Sequence, residues 1–269
     1  MSDFPVATAI EAARRVALRV GLGKVVPRLL SVSEHAILRL SPAPIVARVR
    51  RGTGAEEAMG RELAVVRHLA EREAPVLPPL LGLDAGPFTE AGLAMTFWNF
   101  VPHVPADGEN QQHRRLATRA LDVVHEAFAD YPGWLPAFEE KIAFSRALLE
   151  VAPPALKPED RHFLLAVHDE IKVSGEERVP IHGDAGIHNI LMTAKGPLWV
   201  DFEAACRGPK AWDYVALGAE DVPMISIIRS FCVSAWCWTQ ADLPGRRAAA
   251  EHHLKVLKGM FRWRLTSAP

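Results

Sequence analysis

A chain of 269 residues with 49% hydrophobic and 23% charged residues falls in the globular range and can bury either one large core or two lobes sharing a cleft. Its formal net charge of −1 gives no general attraction to nucleic acid or to an anionic membrane, partners that ordinarily meet a concentrated basic surface. The opening MSDFPVATAIEAARRVALRVG lacks the unbroken apolar core of a signal peptide, and no later segment runs for about 18 uncharged apolar residues, so a soluble, cytoplasmic protein is expected.

Residues 6–20 place Ala9, Ala13, Val16 and Val20 at helical spacing, and Gly21-Leu22-Gly23 ends that helix. Two strand-like runs follow, residues 28–40 and 45–49, with Ser41-Pro42-Ala43-Pro44 as the turn of a hairpin. A helix over residues 55–71 carries Met59, Leu63, Val66 and Leu69 on its apolar stripe. Glu62 borders that stripe, and periodicity is equally consistent with a solvated flank and with a buried partner for a cation. Residues 75–79 form a stiff, proline-bounded connector, and residues 92–100 read as a strand that breaks at Val101-Pro102. A small β-rich lobe therefore spans residues 1–100.

After the polar interruption VPADGENQQHRR the chain, residues 101–269, turns mainly helical, with helices over 114–128, 138–149, 159–171, 225–239 and 245–264. The stretch IHGDAGIHNILMTAKGPLWVDFE, residues 181–203, interrupts them with a tight hairpin of strands 189–192 and 198–202 turned through 193–197. Cys206, Cys232 and Cys237 are too few and too irregular for a disulfide framework or a C-x-x-C metal site and read as free thiols. The eleven histidines include His182, His188 and His252-His253 but no H-E-x-x-H or Cys/His constellation, so zinc is not expected.

A hairpin brings residues before its first strand close to those at the end of its second, so Asp184, Asn189 and Asp201 converge. Asn189 and Asp201 are oxygen donors that suit Mg²⁺, a hard cation that completes its shell with water and substrate phosphates. Asp184 is then left to accept a proton. Phosphoryl transfer needs this division of labour, with metal on the phosphates and a separate carboxylate on the attacking hydroxyl. The spacing His182-Gly183-Asp184-x-x-x-x-Asn189 followed by Asp201-Phe202-Glu203 parallels the kinase H-R-D-x-x-x-x-N and D-F-G.

These motifs, with Gly208-Pro209-Lys210-Ala211-Trp212-Asp213-Tyr214-Val215-Ala216 after them, resemble the aminoglycoside phosphotransferase and choline kinase-like family. Its members show HGDxxxxN, then DFE or DWE, then GPxxxDLA; here Tyr-Val replaces the usual Leu after Asp213. The resemblance implies an α+β, two-lobed protein-kinase-like fold. A nucleotide-binding lobe would occupy residues 1–100, and a larger, mainly helical catalytic and acceptor-binding lobe residues 101–269. Asp184 would be the catalytic base, Asn189 and Asp201 the metal ligands, Asp213 an acceptor for the loop's backbone amides, and His182 a brace for that loop.

The family pairs a basic residue on its third strand with a Glu on the next helix, which implies Arg48 with Glu62; lysine is the commoner residue, and Arg50 has the same strand parity as a rival. The phosphate-covering loop falls at residues 30–36, where Ser33 could help but no glycine stands. Met95-Thr96-Phe97-Trp98-Asn99-Phe100 takes the place of the kinase hinge, with Phe97 and Asn99 as candidates beside adenine or else as parts of a buried strand. His125 matches a Leu-His pair of the family and otherwise reads as a core histidine.

Trp212, Phe231, Trp236 and Trp238 with Glu220-Asp221 are either packing residues or faces and acids for a cationic acceptor. The expectation is thus a monomeric or homodimeric kinase using Mg²⁺ and ATP, or GTP, on a hydroxyl of a small molecule. A catalytically weak nucleotide-binding regulatory module is the alternative. A metal-dependent phosphohydrolase ranks last, because only Glu203 offers an extra carboxylate beside Asp201.

Overall fold

The computed structural model describes residues 4–173 and 177–266, with side chains as far as residue 261. It opens with α1 (Val6–Arg19), which buries Ala9, Ala12, Ala13, Val16 and Ala17. The apolar run at residues 28–40 is not one strand. Ser33 and Glu34 turn it back on itself, so the expected hairpin becomes a three-stranded meander of β1 (Val26–Val32), β2 (His35–Ser41) and β3 (Ile45–Arg51).

Helix α2 (Ala55–Glu71) follows and buries Met59, Leu63, Val66 and Leu69 along its stripe. β4 (Phe88–Glu90), which sequence periodicity did not mark, and β5 (Leu93–Asn99) complete an antiparallel sheet of order β1-β2-β3-β5-β4. Strand β5 is buried along nearly its whole length, since β3 and β4 flank it and α2 packs against it. After β6 (Val104–Pro105) comes α3 (Gln111–Phe128), capped by the Asn110 side chain, which accepts the amides of Gln112 and His113.

The remaining elements are α4 (Phe138–Glu150), α5 (Pro158–Glu170), β7 (Val179–Ile181), β8 (Ile190–Thr193), β9 (Gly196–Trp199), β10 (Cys206–Gly208), α6 (Ala211–Leu217), α7 (Pro223–Thr239) and α8 (Arg246–Thr266). The hairpin turn is tighter than expected, because Thr193 pairs with Gly196 and leaves only Ala194-Lys195 between the strands. Pro197 is tolerated inside β9 because β9 lies at the edge of the sheet β6-β8-β9. The second strand also stops at Trp199 rather than reaching residue 202, since Asp201 takes a left-handed backbone (φ 69°) that no strand can continue through.

The described residues divide into two compact units, one up to Trp134 together with Asp184–Ala205 and one from Leu135 to Gly183 together with those from Cys206 onward. The first holds the five-stranded sheet, α1, α2, α3 and the β8-β9 hairpin. The second is helical around a core that includes Phe138, Leu149, Leu164, Ile228, Phe231 and Leu257, with β7 and β10 paired across it. Among the described residues no helix is long and apolar enough to cross a membrane.

Candidate active site

Strand periodicity sets up the site in the first unit. Ala47 and Val49 point to one face of β3, so Arg48 and Arg50 point to the other. Arg50 pairs in register with His35 of β2 and Arg48 with Ile37, which puts His35, Arg48 and Arg50 on one face.

Arg48 is the residue that meets α2. Its Nη1 donates to Glu62 Oε1 at 2.6 Å, while Nη2 donates to Asp201 Oδ1 at 2.6 Å and to Glu203 Oε2 at 3.0 Å. Arg50 instead donates to Glu203, at 3.1 Å. The planar fork suits arginine to this place, since its two Nη groups reach carboxylates on two sides in a fixed geometry. Glu62 proves to be buried, at 1% side-chain exposure, and its Oε1 also accepts the Phe202 amide at 3.1 Å. Helix α2 therefore holds both the basic residue and the backbone just after Asp201. Phe202 anchors that backbone from below, edge-on to Phe128.

The electrostatics follow from burial and proximity. Burial opposes the charge on Arg48, yet Glu62, Asp201 and Glu203 together raise its pKa above the ordinary range. Burial pushes the Glu62 carboxyl up to about 7 against the pull of Arg48, so its charge depends on its two donors. Glu203 also feels burial, but His35, Arg48 and Arg50 overcome it and hold the carboxyl down at about 2.

At the other end of the hairpin, Asn189 Nδ2 donates to the main-chain oxygen of Asp184 at 2.8 Å and to its Oδ2 at 3.1 Å. The Val200 amide donates to Asn189 O at 3.0 Å, which brings the chain beside Asp201 up to Asn189. With Nδ2 used in this way, Asn189 keeps its amide oxygen for a cation, and Asp201, 36% exposed, keeps Oδ2. An amide oxygen and a carboxylate oxygen are donor types that a hard divalent ion takes, with phosphate and water completing its shell. His188, which sequence reading noted only as a histidine pair with His182, lies 3.5 Å from Asp184 Oδ2.

In the second unit, the fully buried Asp213 accepts the amides of His182 at 2.8 Å and Gly183 at 2.9 Å. Trp212 adds its indole N–H to Gly183 O at 2.8 Å. Gly183 sits at φ +81°, a conformation that glycine adopts without a Cβ penalty. His182 is buried beside these bonds.

The other candidates lie in varied surroundings. Ser33 is exposed in the two-residue turn before His35. Phe97 is fully buried; its amide donates to Ala85 O at 2.9 Å and its carbonyl accepts Leu80 N at 3.0 Å, so the expected adenine contact finds no free amide there. Asn99 spends Nδ2 on the carbonyls of Pro78 and Pro79, fixing the connector. His125 is a buried residue of α3. Trp212, Phe231 and Trp238 belong to the core of the second unit, and the guanidinium of Arg246 covers Trp236 at 3.9 Å. Lys141 and Arg229 each stand 5.8 Å from the Trp212 ring, so the packing interpretation of these aromatics prevails over an open cage for a cation. Glu220 and Asp221 are exposed, and Asp221 accepts the Ser226 hydroxyl.

Sequence reading placed His35 in the loop at residues 30–36 without a role of its own, and it gave Glu203 a place in the Asp201-Phe202-Glu203 motif and as an extra carboxylate but no cation to meet. Both gain significance from strand register, which a motif spacing does not contain.

The model of the phosphotransferase enzyme family (APH) matches residues 30–255. No curated protein matches the chain. Among solved structures, a choline/ethanolamine kinase family protein from Mesorhizobium loti is 16% identical, with 96% of this chain and 95% of that chain covered and a TM-score of 0.64. A ternary complex of a thermostable mutant of aminoglycoside phosphotransferase APH(4)-Ia with AMP-PNP and hygromycin B is 15% identical, with 93% and 98% covered and a TM-score of 0.65. The amicoumacin kinase hAmiN in complex with AMP-PNP, Ca²⁺ and Ami is 13% identical, with 87% and 88% covered and a TM-score of 0.63. The chain belongs to the phosphotransferase enzyme family (APH), with the protein-kinase-like fold of choline kinases and aminoglycoside phosphotransferases, and it is a phosphotransferase that takes an alcohol group as acceptor.

Proposed function

We propose that the protein transfers the γ-phosphoryl group of ATP, with GTP as the alternative donor, to a hydroxyl of a small metabolite or antibiotic in the cytoplasm. The observation that carries this reading is the Arg48 guanidinium joined at once to Glu62 and Asp201, beside a hairpin whose other end holds Asp184 against Asn189. Residues 1–100 supply the nucleotide contacts and residues 101–269 the catalytic and acceptor contacts.

Asp184 orients the acceptor hydroxyl and takes its proton, while the Asn189 amide keeps the carboxylate turned toward that task. Asp213 fixes the amides of His182 and Gly183, the two residues that precede Asp184 in the chain. Arg48 donates to the nucleotide's phosphates with Glu62 steadying it, and the Ser33 turn covers them. Asn189 and Asp201 would hold Mg²⁺, and the ion would supply charge neutralisation at the phosphate oxygens. Glu203 receives Arg48, Arg50 and His35 on Oε2, which disfavours it as the extra ligand that a two-metal hydrolase requires.

The aromatic residues of the helical unit are packed or faced by the protein's own cations, which favours a neutral or anionic hydroxylated acceptor over a polycation. The Arg48–Asp201 bridge and the glycine-free turn also support the second reading, a module that binds nucleotide but turns over weakly. ADP formation from MgATP and MgGTP across a panel of hydroxylated metabolites and antibiotics separates the two. Acceptor-dependent ADP formation supports the kinase; nucleotide binding with no acceptor-dependent turnover across the panel supports the module.

A further inference from the structure

His35 opens β2 directly after the Ser33-Glu34 turn, and its side chain is 9% exposed. Two different bonds tie it down. Its main-chain oxygen accepts the Ser33 amide at 2.9 Å, which closes the turn. Its ring Nε2 lies 3.0 Å from Glu203 Oε2, the oxygen that also receives Arg48 Nη2 at 3.0 Å and Arg50 Nη1 at 3.1 Å.

The tautomer follows from this crowding. Nε2 also stands 3.3 Å from Arg48 Nη2, but that group carries only protons to donate and is already directed at Asp201 and Glu203. A carboxylate oxygen is the acceptor among three donors, so Nε2 carries a hydrogen and gives it to Glu203. His35 thus connects the turn before β2 to the segment Asp201-Phe202-Glu203.

A glycine-bearing loop can settle onto phosphate by rotating its own backbone. The turn here has less of that freedom, since it holds no glycine and strand pairing begins at Val32 and Ala36 on either side. Its position must then be set by what anchors it. Resting on the nucleotide reading above, we propose that His35 is a positioning residue that acts through Glu203 to hold the Ser33-Glu34 turn at a fixed height over the nucleotide's phosphates.

Calorimetry with MgAMP-PNP and, separately, adenosine tests this on the full chain. His35→Ala should weaken MgAMP-PNP by about tenfold or more, as expected for one hydrogen bond to a charged group, and leave adenosine, which has no phosphates, within about twofold. In a Glu203→Ala background His35→Ala should add nothing, because the residue through which it acts is gone. His35→Gln retains an N–H donor and should bind MgAMP-PNP within about threefold of wild type. Unchanged MgAMP-PNP binding by His35→Ala, an equal loss for adenosine, or additive effects of the two alanine substitutions would overturn the inference. Should His35→Ala fail to fold, His35→Gln decides: retained binding supports the role, and a loss of about tenfold or more overturns it. A wild-type chain that binds neither probe would overturn the nucleotide reading itself, whereas wild-type binding with an indifferent His35→Ala overturns only the role of His35.

Discussion

Arg48 and Asp201, 153 residues apart in the chain, are joined by an ion pair of 2.6 Å, and the other arm of the same guanidinium holds Glu62. Removing Arg48 leaves Glu62 buried without its cation, so the carboxyl must either carry an unmatched charge or take up a proton. Arg48→Ala is therefore expected to lower unfolding free energy by about 3–5 kcal/mol, the range for one deleted partner of a buried pair. The double variant Arg48→Met with Glu62→Leu should recover most of that stability and still bind MgAMP-PNP poorly. Urea denaturation and calorimetry on the same samples separate the two effects.

Asp213 accepts two backbone amides with its two carboxylate oxygens. Asp213→Asn replaces one acceptor oxygen by a donor, so either the His182 or the Gly183 amide must face an N–H. The expected result is a stability loss of about 1–3 kcal/mol with a fall in kcat that exceeds the change in nucleotide KM. Denaturation and steady-state kinetics check it together.

Gly208 pairs with Val179 where β10 crosses β7, and a Cβ there would lie 2.9 Å from Ile181 Cδ1 and 3.0 Å from Phe138 Cβ. The Ile181 terminus can swing aside, but the Phe138 Cβ is fixed to the backbone of α4. Gly208→Ala should cost about 1–3 kcal/mol by overpacking while nucleotide affinity stays as in wild type. Thermal unfolding and MgAMP-PNP titration give the two numbers.

Burial, followed by Arg229 and His252, pushes His253 of α8 down from 6.5 to about 4, and its Nδ1 lies 3.2 Å from the Ser230 hydroxyl. Between these two values the unfolded chain binds a proton that the folded chain refuses, so stability falls as pH drops through that window. His253→Gln removes the titration. It should reduce the stability difference between pH 7 and pH 5 by about 1–2 kcal/mol, after allowance for partial solvent exposure. Urea midpoints at the two pH values measure this.

The helices other than the short α6 were legible in the sequence because they depend on local spacing. Helix α2 matches the expected residues 55–71, and the hairpin between Asn189 and Asp201 was visible from its turn and alternation. Two alternatives needed the third dimension. Whether Glu62 faced solvent or a cation depends on what covers α2, and whether Arg48 or Arg50 met it depends on how β3 lies against that helix. The short strands β4, β6, β7 and β10 carry too few residues for a periodic signal. The run at residues 28–40 looked continuous because Ser33-Glu34 lacks the glycine that usually marks a tight turn. For Phe97 the burial was legible, but the partners that occupy its main chain come from Leu80 and Ala85, outside the strand.

The most direct test of the account is single-turnover phosphoryl transfer from MgATP to an accepted hydroxyl substrate, comparing wild type with Asp184→Ala at matched nucleotide saturation. The account predicts that the variant binds MgATP within about threefold of wild type, yet transfers phosphate at least about a hundredfold more slowly, the lower range for loss of a positioned general base. Transfer by Asp184→Ala at the wild-type rate would contradict it.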